Sequence, residues 1–412
     1  MNRSACAAAL MLCLASPCAA ETLREAIAAA YATNPQLAEA KARQDALAES
    51  PSQAQAQGRL TADLNGAGGY SRFDNGTGGT GAITANLPVW TGGRVPAAVR
   101  AATQDAAAGA EAVRDTEAAV LETVVVAYAE LLYAQQAVAV AQADIELLAQ
   151  QVAEARSRFR LGQAARTDVA QFEAQLESAR ADLAVAESET AAIAAVYRAT
   201  IGADPGRLDP APPPPTALPG SVIEARGHAL AANPVVRRQR LATMAAAARI
   251  DQERAEGNPN LGIGASYGYG VNDRLAASPN AASANLVLRV PLLTGGLVAS
   301  RVRAARASHR AAGFATITAE REASRLAETA WANLIAAQAR AEANARRVAA
   351  AELALNGVRA EYGFSLRTTL DILIANGSLR AAQLALARSR SDILIQQAAL
   401  LRATGLLGPD SY

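Results

Sequence analysis

Few side chains in this sequence are placed to do chemistry on a substrate. The two histidines, His228 and His309, lie far apart, and neither belongs to a metal-binding or triad pattern. All three cysteines (Cys6, Cys13, Cys18) lie near the N-terminus, and the sequence contains no phosphate-binding loop, dinucleotide-binding glycine pattern or zinc-helix motif. We therefore expect no catalytic site, no metal and no cofactor, and we predict that the protein is not an enzyme.

Two aspartates hold equivalent positions in an internal repeat. Asp168 and Asp371 are 203 residues apart (371 − 168 = 203). The same offset relates Phe159 to Tyr362, Gly202 to Gly405, and the stretch 87–93 to the stretch 290–296. An offset that stays constant over more than a hundred residues indicates a duplicated fold.

The N-terminal segment 1–20 is typical of a secretory signal peptide. Arg3 precedes an apolar run, and Cys18 and Ala20 are small residues at the two positions that a cleavage site requires. The rest of the chain is rich in alanine, which allows helices to approach each other closely. The formal net charge is +1 with both signs interspersed, which argues against a nucleic-acid partner. We therefore predict an exported protein built from packed helices.

Two segments of each repeat alternate apolar and small polar residues, as β-strands do. We predict strands at about 60–73 and 80–90, and again at about 260–271 and 282–292. Their length matches the roughly 9 to 11 residues of outer-membrane barrel strands, and a soluble sheet is the alternative. Each hairpin leads into a turn that we expect to need positive φ, formed by Thr91, Gly92 and Gly93 and by Thr294, Gly295 and Gly296.

Helices fill the remainder of each repeat. We predict long helices at about 94–160, 167–201, 297–362 and 369–404, and a shorter one over about 35–57 that Pro51 should interrupt. The longest would extend about 100 Å, well beyond the helices of an ordinary globular domain. The predicted parts are a signal peptide 1–20, a first repeat 21–203, a proline-rich linker 204–220, a second repeat 221–408 and a short tail 409–412.

Two hairpins supply only four strands per chain, which is too few to close a barrel. Bacterial barrels begin at about eight strands, and open strand edges cannot face lipid. Several identical chains must therefore share one barrel with cyclic symmetry. Three copies would supply twelve strands, and a homotrimer is our prediction, although the same arithmetic permits four copies.

Several short motifs occur in a fixed order and spacing. They are TLREA at 22–26 followed by Asn34-Pro35, TGGR at 91–94, RFRLG at 158–162, RTDVAQ at 166–171 and LRTTLDIL at 366–373. Together they resemble the TolC family of outer-membrane channel-tunnels over essentially the whole exported chain. The resemblance implies a mainly α fold with a small β part, in which long helical hairpins form a periplasmic α-barrel below a 12-stranded trimeric β-barrel. It also implies a location in the outer membrane of a Gram-negative bacterium, in contact with its lipid.

The resemblance further implies a closed gate where the long helices turn. Tyr362 and Arg367 match positions that latch onto the first repeat, where Thr167 and Asp168 match the acceptors. An arginine–carboxylate bond of this kind is charge-assisted and would hold the helix pairs inward.

An acidic ring is the second feature that the resemblance implies. Asp371 matches a pore-lining position that three-fold symmetry would turn into a ring attractive to cations, whereas Ile374 replaces a second acidic position. The simpler alternative is that Asp168 and Asp371 only favour the first turns of helices capped by Thr167 and Thr369. Under that alternative, Tyr362 is a packing residue.

The stretch 166–171 most resembles the branch of the family that serves type I secretion. That branch implies a periplasmic adaptor and an inner-membrane ABC transporter as partners, with this protein as the passive exit duct. The alternative within the same class is the outer-membrane component of multidrug or heavy-metal efflux, working with an RND-type pump. An alternative of a different class is a periplasmic adaptor or coiled-coil scaffold.

Overall fold

The described part of the chain consists of two sets of helices, each interrupted by a pair of antiparallel strands. The computed structural model describes residues 20–71, 76–272, 281–364 and 366–412. Residues 1–19 of the predicted signal peptide, residues 72–73 of the first predicted strand, and Ser365 lie outside this part of the chain. The elements are α1 Leu23–Thr33, α2 Pro35–Ala48, α3 Ser50–Ala56, β1 Thr61–Ser71, β2 Gly76–Trp90, α4 Arg94–Arg160, α5 Arg166–Ile201, α6 Val222–Ala232, α7 Pro234–Ala255, β3 Asn260–Asn272, β4 Ala281–Arg289, α8 Leu297–Gly363 and α9 Thr369–Thr404.

The short helices begin where the sequence supplies suitable residues. Thr22 accepts a hydrogen bond from the Glu25 N–H while the Glu25 carboxylate accepts one from the Thr22 N–H, which forms a capping box before α1. The helix expected over 35–57 is interrupted where Pro51 was expected to interrupt it, because α2 ends at Ala48 and α3 begins at Ser50. Pro51 lies in the first turn of α3, where its missing N–H is not needed.

The long helices have the same lengths in both repeats. α4 and α8 contain 67 residues each, and α5 and α9 contain 36 residues each. α5 and α9 are followed by Gly202 and Gly405 in the left-handed conformation, which ends a helix at little cost. At about 1.5 Å per residue, α4 and α8 each extend about 100 Å, and α5 and α9 each extend about 54 Å. The prediction of a mainly helical, internally duplicated fold is confirmed.

The helices pack into a column whose main core surrounds α4. This helix contacts α5, α7 and α9, while α8 contacts α7 and α9. The Tyr128 side chain is fully buried there, and its hydroxyl donates to the backbone oxygens of Glu21 and Asp209, which ties the linker to the column. One 18-residue stretch of α4 is long and apolar enough to cross a membrane, but half of it is buried within the chain. We attribute its apolar character to this packing.

The four strands form one antiparallel sheet in the order β1-β2-β3-β4, so that the two hairpins meet through β2 and β3. β2 begins at Gly76, earlier than the predicted 80, because its glycine-rich start continues the ladder with β1. β4 ends at Arg289 rather than 292, because Pro291 has no N–H to donate to a ladder. Among the described residues, β1 and β4 each pair on one side only, so both edges of the sheet are open.

The pairing register separates the sheet into an apolar face and a polar face. The apolar face carries Leu64, Ile83, Leu87, Ile263, Tyr267, Leu286 and Leu288, all of them exposed. The polar face carries Asp63, Asn65, Thr84, Asn86, Asn260, Ser266, Ser283, Asn285 and Arg289, together with several glycines. An exposed apolar face of this extent favours contact with lipid over the alternative of a soluble sheet.

Candidate functional site

The turn between α4 and α5 and the turn between α8 and α9 lie side by side at one end of the column. We call residues 158–171, 361–364 and 366–371 the tip. Directly behind it, Leu148, Phe172 and Ile372 belong to one small buried cluster that draws side chains from both repeats. The two turns are therefore held together by a shared hydrophobic core.

Asp168 joins the two turns by a direct side-chain bond. One of its carboxylate oxygens accepts the Ala165 N–H at 3.0 Å, and the other accepts the Thr369 hydroxyl at 2.9 Å. Thr369 is only 3% exposed, so this bond is shielded on one side. Asp168 was expected from the sequence to be an acceptor of the latch. Within one chain it instead accepts the hydroxyl of Thr369 in the opposite turn.

Asp371 makes its hydrogen bonds within its own helix. Its carboxylate accepts both the N–H and the hydroxyl of Thr368, at 2.9 and 2.8 Å. The Thr368 N–H, followed by the Thr368 hydroxyl, holds the pKa of Asp371 below its usual range, because both bonds favour the charged carboxylate. Ile374, one turn further along α9, is 60% exposed.

The helix caps differ from those expected. Thr167 and Thr369 were expected to cap α5 and α9, and this is wrong, because the N-caps are Ala165 and Thr368. Each aspartate sits three residues after its N-cap, at the spacing from which a side chain reaches back to the cap N–H. Thr369 is thereby free to bond across the tip.

Tyr362 and Arg367 have partners close to them in the same chain. The Arg158 guanidinium lies 4.6 Å from the centre of the Tyr362 ring, and it also donates to the Tyr362 carbonyl oxygen at 3.4 Å. Arg367 donates to the Glu361 carboxylate at 2.6 Å within the second turn. Thr167 is exposed.

Sequence reasoning missed the roles of Arg158 and Glu361. A signal was present, because the repeat offset places these two residues at equivalent positions (361 − 158 = 203) with opposite charges. The first turn thus presents a cation to the aromatic ring of the second, while the second turn uses its anion to hold Arg367.

A group of polar side chains that we call the buried polar cluster links three helices farther from the tip. Asp144 of α4 is 7% exposed and accepts the Asn376 amide of α9 at 2.6 Å. Arg380 lies 3.5 Å from Asp144 and 2.5 Å from Asp182 of α5. The arginine thus balances two carboxylates. Among the described residues, no cluster of acidic, histidine or cysteine side chains is arranged to hold a metal ion.

The two strand-to-helix turns have similar backbone conformations but different surroundings. After Thr91 and Thr294, the paired glycines have φ of 63° and 93° at Gly92 and Gly93, and of 58° and 82° at Gly295 and Gly296. A Cβ atom at Gly92 would come within 2.7 Å of the Asn258 side chain, whereas the Gly295 and Gly296 positions are open. The first turn is therefore packed against residues of the second repeat, whereas no described residue packs closely against the glycines of the second turn.

Known proteins share this architecture over nearly the whole chain. The sequence profile of the family described as "Outer membrane efflux protein" matches residues 26–203 and 225–406, one stretch in each repeat. The outer membrane efflux protein BepC of Brucella suis biovar 1 is 31% identical over 397 residues, which cover 95% of this chain and 86% of BepC. The alkaline protease secretion protein AprF of Pseudomonas aeruginosa is 26% identical over 306 residues, covering 72% of this chain and 63% of AprF. A crystal structure of CusC has the same fold, with a TM-score of 0.81 at 19% identity, covering 94% of this chain and 92% of the CusC chain.

Proposed function

This chain belongs to the outer membrane efflux protein family, and from that premise we propose that three copies of it share one passive duct through the outer membrane and the periplasm. The protein is an outer-membrane efflux channel of the TolC type, with its helices extending into the periplasm. The family profile matches both repeats, and the alternative of a periplasmic adaptor or scaffold is therefore abandoned.

One observation carries the proposal of a shared duct. In the described part of the chain, the sheet has an apolar face exposed across all four strands, and its two edges, at β1 and β4, are open. Backbone groups at an open edge cannot face lipid, so the edges must be paired by further copies. Twelve strands from three copies would continue into a wall of helices about 100 Å long.

We place the gate of this duct at the tip. The proposed latch consists of Tyr362, Arg367, Thr167 and Asp168, and Asp371 is the proposed acidic ring. Supporting evidence is that Asp168 already bonds across the two turns, and that Arg158 holds the Tyr362 ring. Arg367 and Thr167 have side chains exposed at the end of the column, where a neighbouring copy or an adaptor can compete for them.

We propose that the duct serves type I secretion, together with a periplasmic adaptor and an inner-membrane ABC transporter. The stretch 166–171 supports this proposal, and so does the similarity to AprF, whose name assigns it to secretion of an alkaline protease. Drug or metal efflux with an RND-type pump is the second candidate, because the relative BepC, which covers more of the chain, is named an efflux protein.

Purified protein in planar bilayers tests the duct and the latch together. We expect a trimer by native mass spectrometry and discrete ion-conducting steps, and we expect Arg367→Ser to raise the conductance by loosening the latch. Absence of any conducting oligomer would refute the duct. An unchanged conductance in Arg367→Ser would remove only that residue from the latch.

Deletion of the gene separates the two candidate pathways. A type I role predicts that at least one protein disappears from the culture medium while sensitivity to toxic compounds is unchanged. An efflux role predicts the reverse pattern. Affinity purification of the duct after chemical cross-linking should then recover either an ABC transporter or an RND-type pump.

A further inference from the structure

Two unpaired charges lie at opposite edges of the sheet. Asp63 is on β1 and Arg289 is on β4, and both are exposed. Neither forms an ion pair with any residue in the described part of the chain. Since the two edges are three strand spacings apart, or about 14 Å, these charges cannot meet within one copy.

Asp63 and Arg289 nevertheless belong to the same face. Asp63 is level with Thr84, Ser266 and Ser283 across the four strands, and the hydroxyls of the two serines are 2.8 Å apart, which shows that they share a side. Arg289 pairs with Asn260, six residues before Ser266 on β3, so it lies on this side too. It lines a surface pocket together with Asn86 and Asn260 and with Arg94 and Glu256, which pair with each other at 3.7 Å.

A second copy can pair with these edges in very few ways. Successive strands are antiparallel, so β4 of one copy meets β1 of the next copy in an antiparallel ladder. β4 has nine residues and β1 has eleven. If all nine described residues of β4 pair with described residues of β1, Arg289 faces Thr61, Ala62 or Asp63 of the next copy. The register with Arg289 opposite Ala62 is excluded. Ala62 lies on the apolar face, so this register would place the polar side chains of β4 on the apolar face of the shared sheet.

The two remaining registers differ in which residue of β4 faces the Asp63 carboxylate. With Arg289 opposite Thr61, Asp63 faces the apolar Val287. With Arg289 opposite Asp63, opposite charges face each other directly, which is favourable across antiparallel strands. Both registers place a leucine opposite Leu64 on the apolar face, Leu288 in this register and Leu286 in the other.

The chosen register is also compatible with a closed barrel. Ser283, which is level with Asp63 of its own copy, would face residue 69 of the next, a stagger of six residues (69 − 63 = 6). Over four strand spacings this stagger tilts the strands by roughly 45°, within the range of closed barrels. The Thr61 register gives roughly 35° and closes as well, so the charges decide between the two.

We propose that Arg289 of each copy forms an ion pair with Asp63 of the next copy, directly opposite across each seam of the shared sheet and on its polar face. This proposal rests on the proposed function, because it requires several copies in one barrel. The pair would fix the register of the seam and would ensure that β4 joins β1.

Disulfide trapping tests the seam. The only natural cysteines precede residue 20, within the predicted signal peptide, so introduced thiols are the only ones in the exported chain. A disulfide requires Cα atoms within about 7 Å. We expect the double variant Asp63→Cys/Arg289→Cys in outer membranes to give dimers and trimers on a denaturing gel that collapse to monomers on reduction. Ala62→Cys/Arg289→Cys, with its thiols on opposite faces, should stay monomeric.

Three outcomes would overturn the assignment. Cross-linking by Thr61→Cys/Arg289→Cys in place of the Asp63 variant would show the other register. Equal cross-linking by the Ala62 variant would show that the faces are not preserved. No cross-linking by any of the three, in a protein that still forms a conducting oligomer, would refute the seam pair alone, whereas loss of the oligomer in the unmodified protein would refute the proposed function.

Charge exchange provides a second readout that needs no disulfide. Asp63→Arg and Arg289→Asp should each lower the temperature at which the oligomer dissociates in detergent. The double variant Asp63→Arg/Arg289→Asp should recover most of the loss, because it restores opposite charges. If the dissociation temperature of the double variant fell by the sum of the two single losses, Asp63 and Arg289 would not form a direct pair.

Discussion

The two helical hairpins of one chain, α4–α5 and α8–α9, contact each other at the tip and again in the buried polar cluster. The two contacts differ in the kind of bond that forms them. At the tip, Asp168 accepts a single threonine hydroxyl and Arg158 lies over a ring. In the cluster, Arg380 is placed between two carboxylates, of which Asp144 is nearly buried. Asp144 precedes the end of α4 by 16 residues (160 − 144 = 16), or about 24 Å of helix.

This difference suggests how the tip can open without separating the column. A partly exposed hydrogen bond contributes about 1 kcal/mol, whereas breaking one side of a buried charge pair costs about 3 kcal/mol or more. Competition by a partner protein at the tip can therefore outweigh the first contact and leave the second intact. We infer that the hairpins part at the tip and pivot about the buried polar cluster.

Breaking the buried polar cluster should have the largest effect. Arg380→Met leaves the Asp144 carboxylate buried with only Asn376 as a partner, and we expect a loss of about 3 kcal/mol in stability. Thermal unfolding followed by circular dichroism measures it. The matched control is Arg180→Met, which removes an exposed pair with Glu177 and should cost less than about 1 kcal/mol. Equal shifts would show that the cluster is no stronger than a surface pair.

Breaking the tip bond should instead change the conductance. Asp168→Ala removes the bond to Thr369 and the support of the Ala165 N–H, together worth about 1.5–3 kcal/mol because the acceptor is charged. That energy corresponds to an increase of about ten-fold or more in the open population of the tip, read from single-channel recordings. If Arg380→Met opened the channel as readily as Asp168→Ala, the distinction between gate and pivot would be lost.

The sequence predicted the parts of this comparison but not their contacts. The 203-residue offset predicted equal long helices, and alternation predicted both faces of the sheet, because periodicity determines local structure. The bond between Asp168 and Thr369 joins residues 201 apart, and that between Asp144 and Asn376 joins residues 232 apart. Pairings of this kind depend on how the two hairpins pack, which no local pattern records. The same limit explains why Thr369 was mistaken for a cap.

Two adjacent threonines sharpen the comparison further. Thr369→Val keeps the shape of the side chain but removes the donor to Asp168, while Asp168 still holds the Ala165 N–H. We expect a smaller rise in conductance than in Asp168→Ala, near the five-fold change in open population that about 1 kcal/mol allows. Thr368→Val removes only the cap of α9 and should lower helix stability by about 1 kcal/mol with no change in conductance. A conductance change in Thr368→Val alone would assign the gate to the cap.

The smallest effect should come from Asp371, whose bonds stay within its own turn. Asp371→Asn is expected to weaken cation preference, measured as a reversal potential in a salt gradient, with the conductance of the closed tip unchanged. Because the bonds from Thr368 lower the pKa of Asp371, its charge and any stability that it contributes are fully present above the ordinary aspartate pKa of about 3.9 and are lost as the pH falls through the lower folded value. Cation preference should therefore persist down to about pH 4 in the unmodified protein. In Thr368→Val, which lacks the hydroxyl donor, the loss should begin at a higher pH. If cation preference were unchanged in both Asp371→Asn and Thr368→Val, charges other than Asp371 would set the selectivity. The tip and the buried polar cluster would then differ only in the strength of their contacts.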